Sequence, residues 1–198
     1  MNSISYLELS GQDISQYIDE LAALRISVFL EFPYLYDGSI EYEKNYLKVY
    51  SENQQSFVCL AMDNGKVIGA STGTALVNEP AYVTEPFLKN AYQLEPIFYF
   101  GESVLKKEYR GQGIGWHFME ARENYARSIG KEMAVFCAVE RPLKHPRRPE
   151  NFFALDAFWK KAGFKPMGIH GYFSWQDLDE SSESPKKMNF WSKRLIEK

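Results

Sequence analysis

The sequence has little cysteine and little histidine. Cys59 and Cys137 are its two cysteines. They are too few for a disulfide framework and supply a four-ligand zinc site poorly. They read as half-buried thiols of a reducing compartment. The three histidines, His117, His145 and His170, show no metal-ligand spacing, so no metal is expected. A long apolar run is also missing. The longest is Phe57-Val58-Cys59-Leu60-Ala61-Met62, far short of the roughly 20 residues that cross a bilayer. Met1 to Tyr6 carries no basic leader before an apolar stretch, so a secretory signal is not expected and the chain reads as soluble and cytoplasmic. Charge bias is missing as well. Lys plus Arg number 23 and Asp plus Glu 26, a net charge of −3. That balance disfavours nucleic acid as a partner, and nothing points to a membrane.

What is present is ordinary globular usage. Hydrophobic residues make up 45% and charged residues 25% of 198 residues. A chain of this length forms one domain, here 1–198, and can bury about 70% of its unfolded surface without a metal or disulfide. Periodicity divides it. Ser5–Leu9 alternates weakly, as a short strand does. Asp13 and Gln16 have capping-box spacing, and Ile14, Ile18, Leu21, Leu24 and Val28 recur at the helical period. Phe32-Pro33 is expected to stop that helix, and a second helix runs from about Ser39 to Tyr50. Phe57–Met62 and Val67–Leu76 read as strands joined by Asp63-Asn64-Gly65-Lys66, whose Asn-Gly pair suits a tight hairpin. Prolines at 80, 86 and 96 make residues 77–96 a long excursion, an insertion or lid.

Ile97–Lys106 reads as a strand. Ile114, Phe118, Ala121, Tyr125 and Ile129 then mark a helix ended by Gly130. Met133–Val139 is a buried strand, Leu155–Ala162 a short helix ended by Gly163, and Tyr172–Trp175 and Met188–Trp191 are strand-like. Strand–helix–strand in the middle implies a parallel pair with a right-handed crossover. The expected fold is α+β: a mixed, mostly antiparallel sheet with one central parallel pair and helices on both faces.

The sharpest motif is Tyr109-Arg110-Gly111-Gln112-Gly113-Ile114-Gly115, between a strand and a helix. Alternate glycines let the backbone turn tightly and approach a ligand closely. Amides at a helix N-terminus, where the macrodipole is positive, suit a pyrophosphate. The spacing does not fit a dinucleotide fingerprint, because the third glycine comes one residue early. It does not fit an NTPase phosphate loop either, because Trp116 follows Gly115. Arg-x-x-Gly-x-Gly after a strand and an aromatic resembles the acetyl-CoA motif of the GNAT superfamily of N-acetyltransferases. Ala157-Phe158-Trp159-Lys160-Lys161-Ala162-Gly163-Phe164 is similar to that superfamily's following helix, which ends in Gly-Phe.

The resemblance implies acetyl-CoA as cosubstrate. Arg110, Gly111, Gln112, Gly113, Ile114 and Gly115 would wrap its pyrophosphate, with Trp116 starting the helix behind them. Val104, Leu105 and Lys106 would pair with the pantetheine arm, and the amide near Leu105 would donate to the thioester carbonyl as it gains negative charge. The reaction so implied is direct attack by an amine within a ternary complex.

An amine attacks as the neutral form, so a base is needed. Glu102 is the candidate, a carboxylate within the apolar run Phe100–Leu105. Strict alternation puts Glu102 and Leu105 on opposite faces; a bulge near Ser103, about where the resembled family's strand is bulged, would correct this, and otherwise the base acts through water or lies elsewhere. The family's upstream base position falls on Tyr99. The family's usual acid, a tyrosine of the last helix, is replaced by Trp159, so solvent would protonate the leaving thiolate. Cys137, with no histidine spaced to it, reads as core. The basic segment 141–150 offers Arg147 or Arg148 to a phosphate or an anionic acceptor. Residues 31–42, with Glu79, Glu85, Glu95, Tyr82, Phe87 and Tyr92, form an acidic and aromatic set suited to a small cationic amine. The same surface would also serve a homodimer. A catalytically reduced acyl-CoA-binding module, and an interaction protein whose glycine loop binds nothing, are the alternatives.

Overall fold

The computed structural model describes residues 4–196. Seven strands form one sheet in the order β1-β2-β3-β4-β5-β7-β6. They are β1 Ser5–Ser10, β2 Phe57–Asp63, β3 Lys66–Ala75, β4 Ile97–Leu105, β5 Met133–Val139, β6 Lys165–Trp175 and β7 Ser184–Arg194. Only β4 and β5 are parallel; every other neighbouring pair is antiparallel. Five α-helices cover the faces: α1 Ile18–Phe29, α2 Ile40–Glu52, α3 Ala81–Lys89, α4 Ile114–Ser128 and α5 Asp156–Lys161.

The apolar residues separate accordingly. Phe98 and Phe100 of β4 point with Phe118 of α4 and Phe164 into one layer. Leu21 and Leu24 of α1 and Leu47 of α2 pack with Val58, Leu60 and Val104 on the opposite face. Ile97 and Tyr99 join Val83 and Phe87 of α3 under β7's Phe190. The fold is the expected α+β sheet with helices on both sides.

Several local expectations need correction. The chain from Gly11 to Tyr17 winds as a 3-10 helix before α1 begins, and no side-chain cap forms there, so Asp13 and Gln16 do not make a capping box. α1 ends at Phe29, three residues before Phe32. Residues 77–96 are not a plain excursion, since α3 lies inside them with Pro86 in its body. Proline removes one helical hydrogen bond. Val83 at 1% and Phe87 at 0% exposure bury enough apolar surface to offset that loss. β6 and β7 extend well beyond their aromatic stretches. The hairpin is as expected: Asn64 and Gly65 have φ of 49° and 75°, the pair of positive values a type I′ turn requires. Ser39 caps α2 by accepting from the Tyr42 amide at 3.3 Å.

Candidate active site

β4 and β5 share only three rungs, Ile97 with Met133, Phe98 with Ala134 and Tyr99 with Val135. Beyond Tyr99 the two strands part. A cavity of about 690 Å³ fills the opening, with Phe100–Ser103 on one wall and Phe136–Glu140 on the other. Met119 and Arg122 of α4 and Trp159 of α5 close one side, and Phe29, Phe32 and Tyr34 the other.

On its outer edge β4 bulges. Gly73 faces Phe100 and Ser71 faces Ser103, so Gly101 and Glu102 together oppose Thr72. Glycine is required at 101 for space: a Cβ there would come within 2.5 Å of Thr72 Oγ1 and closer still to the Tyr50 hydroxyl. The bulge lies one step before the expected place. It therefore does not bring Glu102 and Leu105 to one face. Glu102 turns towards α1 and pairs with Arg25, its Oε1 2.5 Å from Nη1. Leu105 packs in the opposite layer with α4.

Two arginines that the sequence reading passed over hold this strand. Arg25, buried in α1, bonds both Glu43 of α2 and Glu102, and lies over the ring of Tyr46 at 4.4 Å. Burial works against its charge, but Glu102 and Glu43 carry its pKa well above the ordinary value. Arg122, from the other layer, donates to the carbonyl oxygens of Thr72 and Glu102 and to Ser103 Oγ. It therefore clamps both sides of the bulge, stacked over Phe100 at 4.2 Å. Burial lowers its pKa to about 9, against the pull of Glu102. Arg25, Glu43 and Arg122 all fall on the apolar stripes of their helices, in step with Leu21, Leu47 and Phe118. That was the available signal, because a charge on a buried stripe needs a partner.

A second carboxylate stands nearby. Glu79 follows β3, half-buried, and its pKa is pushed up to about 8 by burial first and by Glu102 second. Tyr46, Tyr50 and Tyr99 are raised well above the ordinary tyrosine value, mainly by burial. Tyr99 is 4% exposed and its hydroxyl meets Cys137 Sγ at 3.1 Å. Cys137 is pushed up to about 12 by burial and is not an activated nucleophile.

Of the acidic and aromatic set in residues 77–96, Phe87 is core and Glu85 pairs with Lys89 in solvent. Glu95 is exposed. Glu79 and Tyr82 stay within electrostatic reach of one another. On the other side, Tyr34 lines the cavity, and Tyr36 is close enough to Glu43 for that carboxylate to add to the rise that burial gives its pKa.

Gly111 and Gly113 have φ of 78° and 87°, and an added Cβ at either would meet nothing within 4 Å. The loop is thus bare and open, and α4 starts at Ile114 directly behind it. Gln112 is exposed, its side-chain amide bonding the Glu108 carbonyl. Gly115 is already helical, and Trp116, 40% exposed, lies edge-on to Phe158. This arrangement fits a diphosphate.

The Lys106 amide bonds the Ile68 carbonyl at 3.0 Å. By the alternation of an antiparallel ladder, Val104 and Lys106 spend their backbone groups on β3, while the Leu105 amide faces away from it, towards the gap. Of the three residues expected to line a pantetheine arm, Leu105 alone turns its amide away from β3. Arg110 folds back: its Nε donates to the Leu105 carbonyl and Nη1 pairs with Glu31 at 2.8 Å.

In the basic segment, Arg148 lines the cavity over the Phe152 ring at 4.7 Å, and Arg147 faces Asp179 at 3.6 Å. Arg141 is buried in an ion pair with Asp177. Trp159 packs between Phe136 and Trp191.

The fold is shared with solved N-acetyltransferases. A Staphylococcus aureus Mu50 N-acetyltransferase superposes with a TM-score of 0.63 at 13% identity, covering 97% of this chain and 99% of that one. A GNAT-family acetyltransferase from Streptococcus pneumoniae gives 0.58 at 14%, covering 98% and 100%. An aminoglycoside 6'-N-acetyltransferase complexed with coenzyme A gives 0.60 at 14%, covering 99% and 98%. No curated protein matches by sequence. Residues 21–164 match the model of the acetyltransferase (GNAT) family. The chain belongs to that family. Among the described residues, no helix is long and apolar enough to cross a membrane.

Proposed function

We propose that this chain is an acetyl-CoA-dependent N-acetyltransferase acting on a small cationic amine. The parting of β4 from β5 beyond Tyr99, with a cavity between them and the bare glycine loop at the start of α4, carries the reading. The amides from Arg110 to Gly115 would hold the diphosphate, aided by the α4 dipole. The Leu105 amide would donate to the thioester oxygen as charge develops there, a contribution of roughly 3 kcal/mol to barrier lowering.

Acetyl-CoA when bound supplies a thioester whose carbonyl carbon forms a bond to the amine nitrogen while its bond to sulfur breaks. Glu102, the carboxylate at the bulge lining the cavity, would take the proton the amine gives up. With Trp159 packed between aromatics, solvent would protonate the thiolate, which leaves easily because a thiol pKa is about 8.5.

A cationic acceptor is supported by the charge count on the α1–α3 side. Glu43 and Glu102 there share Arg25, and the carboxyl of Glu79 lies within electrostatic reach of Glu102, amid Tyr34, Tyr46 and Tyr82.

The test is an acceptor panel of cationic, neutral and anionic amines with acetyl-CoA, read by free-thiol release. Turnover with cationic amines is expected. Acetylation of neutral or anionic acceptors alone would overturn the substrate class. Tight coenzyme binding with no thiol release from any acceptor would favour the catalytically reduced binding module.

A further inference from the structure

A second chemical cluster lies away from the cavity, at the outer edge of the sheet. β1 pairs with β2 so that Glu8 stands directly opposite Cys59. Directly opposed residues share a face. α4 crosses that face and sets His117 on it. Tyr6, two residues before Glu8 and so on the same face, stacks on the His117 ring with centroids 3.5 Å apart and planes at 20°. One donor atom from each of Glu8, Cys59 and His117 lies within 4.8 Å of the others.

Two observations make this more than a chance grouping. Cys59 is fully buried, yet it faces a carboxylate. Nε2 of His117 is buried with no hydrogen-bond partner among the described residues, a state that ordinarily costs about 1–3 kcal/mol. None of the three residues lines the cavity.

We propose that Glu8, Cys59 and His117 bind a divalent transition ion of the zinc class, with water completing the coordination. The donor set decides the class: thiolate, imidazole and carboxylate together suit Zn²⁺. Mg²⁺ and Ca²⁺, which take oxygen ligands, are disfavoured. With metal–ligand bonds of about 2.0–2.3 Å, tetrahedral donors stand about 3.3–3.8 Å apart. The cluster must therefore draw in by about 1 Å, and Glu8, exposed on an edge strand, is the member free to move.

Binding replaces a proton. As the sulfur–metal bond forms, the Cys59 S–H proton passes to solvent. An ordinary cysteine thiol is protonated at neutral pH, so in the absence of metal the proton is present to be released. The three ligands sit on three elements, which is why no local spacing announces the site.

The test titrates Co²⁺ into the reduced, metal-free full chain. One equivalent should bind with a thiolate-to-cobalt charge-transfer band, release one proton per ion, and be displaced by Zn²⁺. Cys59→Ser should abolish the band. His117→Gln, and Glu8→Gln on the exposed strand, should each weaken binding by at least about tenfold, because even the outer partners of metal ligands cost 10–100-fold. Lack of a band in the unsubstituted chain would overturn the proposal. So would a band that persists in Cys59→Ser, or an affinity unchanged in both Glu8→Gln and His117→Gln. The Glu8→Gln arm does not depend on replacing a buried side chain.

Discussion

Arg25 reaches Glu102 across the layer between α1 and β4, nitrogen to oxygen 2.5 Å, while its other edge bonds Glu43 of α2. One cation thus joins two helices to the strand that forms the cavity wall. Arg25→Met leaves two buried carboxylates without a counter-charge and should destabilise the fold by about 3–5 kcal/mol, measured by urea unfolding. Glu102→Gln leaves Arg25 still paired with Glu43. That variant should fold, bind acetyl-CoA unchanged, and lose about 10²–10⁴ in kcat if Glu102 accepts the proton. An unchanged kcat would remove Glu102 from the chemistry.

Arg122 offers a fork that lysine cannot copy. Its guanidinium serves three acceptors across the bulge. Arg122→Lys keeps the charge but loses the geometry. The expected cost is about 2 kcal/mol or more in stability, with a matching fall in acetyl-CoA affinity as the β4 wall relaxes. Calorimetric unfolding and coenzyme titration on the same sample check both.

Glu79 makes stability fall with rising pH. Its folded pKa, about 8, lies above the ordinary carboxyl value because of burial and then Glu102. The folded state therefore holds this proton more tightly than the unfolded one. The contribution is complete below about pH 4.5 and is lost as pH rises through about 8. Glu79→Gln removes the loss. At pH 9 its Tm should exceed the parent's by at least about 3 °C, and the difference should shrink towards pH 6. Parallel Tm curves for the two proteins would refute this.

Gly113 and Gly115 should respond differently to the same methyl group. Gly113 has φ of 87° and open space around an added Cβ, so alanine there meets backbone strain and no crowding. The strain is about 1–2 kcal/mol. If the loop holds the diphosphate, Gly113→Ala should raise the acetyl-CoA Kd by about tenfold. Gly115 is helical, and its added Cβ would sit 3.6 Å from Phe158, an ordinary contact. Gly115→Ala should leave both stability and affinity intact. Equal losses in both variants would argue against a loop that binds by its backbone.

The strand and helix order was legible in the residues because apolar spacing differs between α4 and β5. The glycine loop was legible because its spacing is local. What escaped was whatever depends on the third dimension. Residues 77–96 carry prolines, yet Val83 and Phe87 find a buried bed under Phe190, and packing overrides the local signal. The β4 bulge follows from crowding between Gly101, Thr72 and Tyr50, partners 29 to 51 residues away. The arginine clamps were readable in principle, as charges on apolar helix stripes, but their targets were not. Glu8, Cys59 and His117 meet only through pairing register and helix placement.

The three-rung contact between β4 and β5 means that the sheet is unfinished at its middle. Past Tyr99 and Val135, the two interior strands diverge with no further rung between them among the described residues. A molecule with amides along an extended arm would act there as a keystone, supplying from outside the rung that the polypeptide omits. Cargo and scaffold would then be continuous, and hydrogen exchange at 100–105 and 136–139 would slow on filling while the outer hairpin of β1 and β2 kept its own pace.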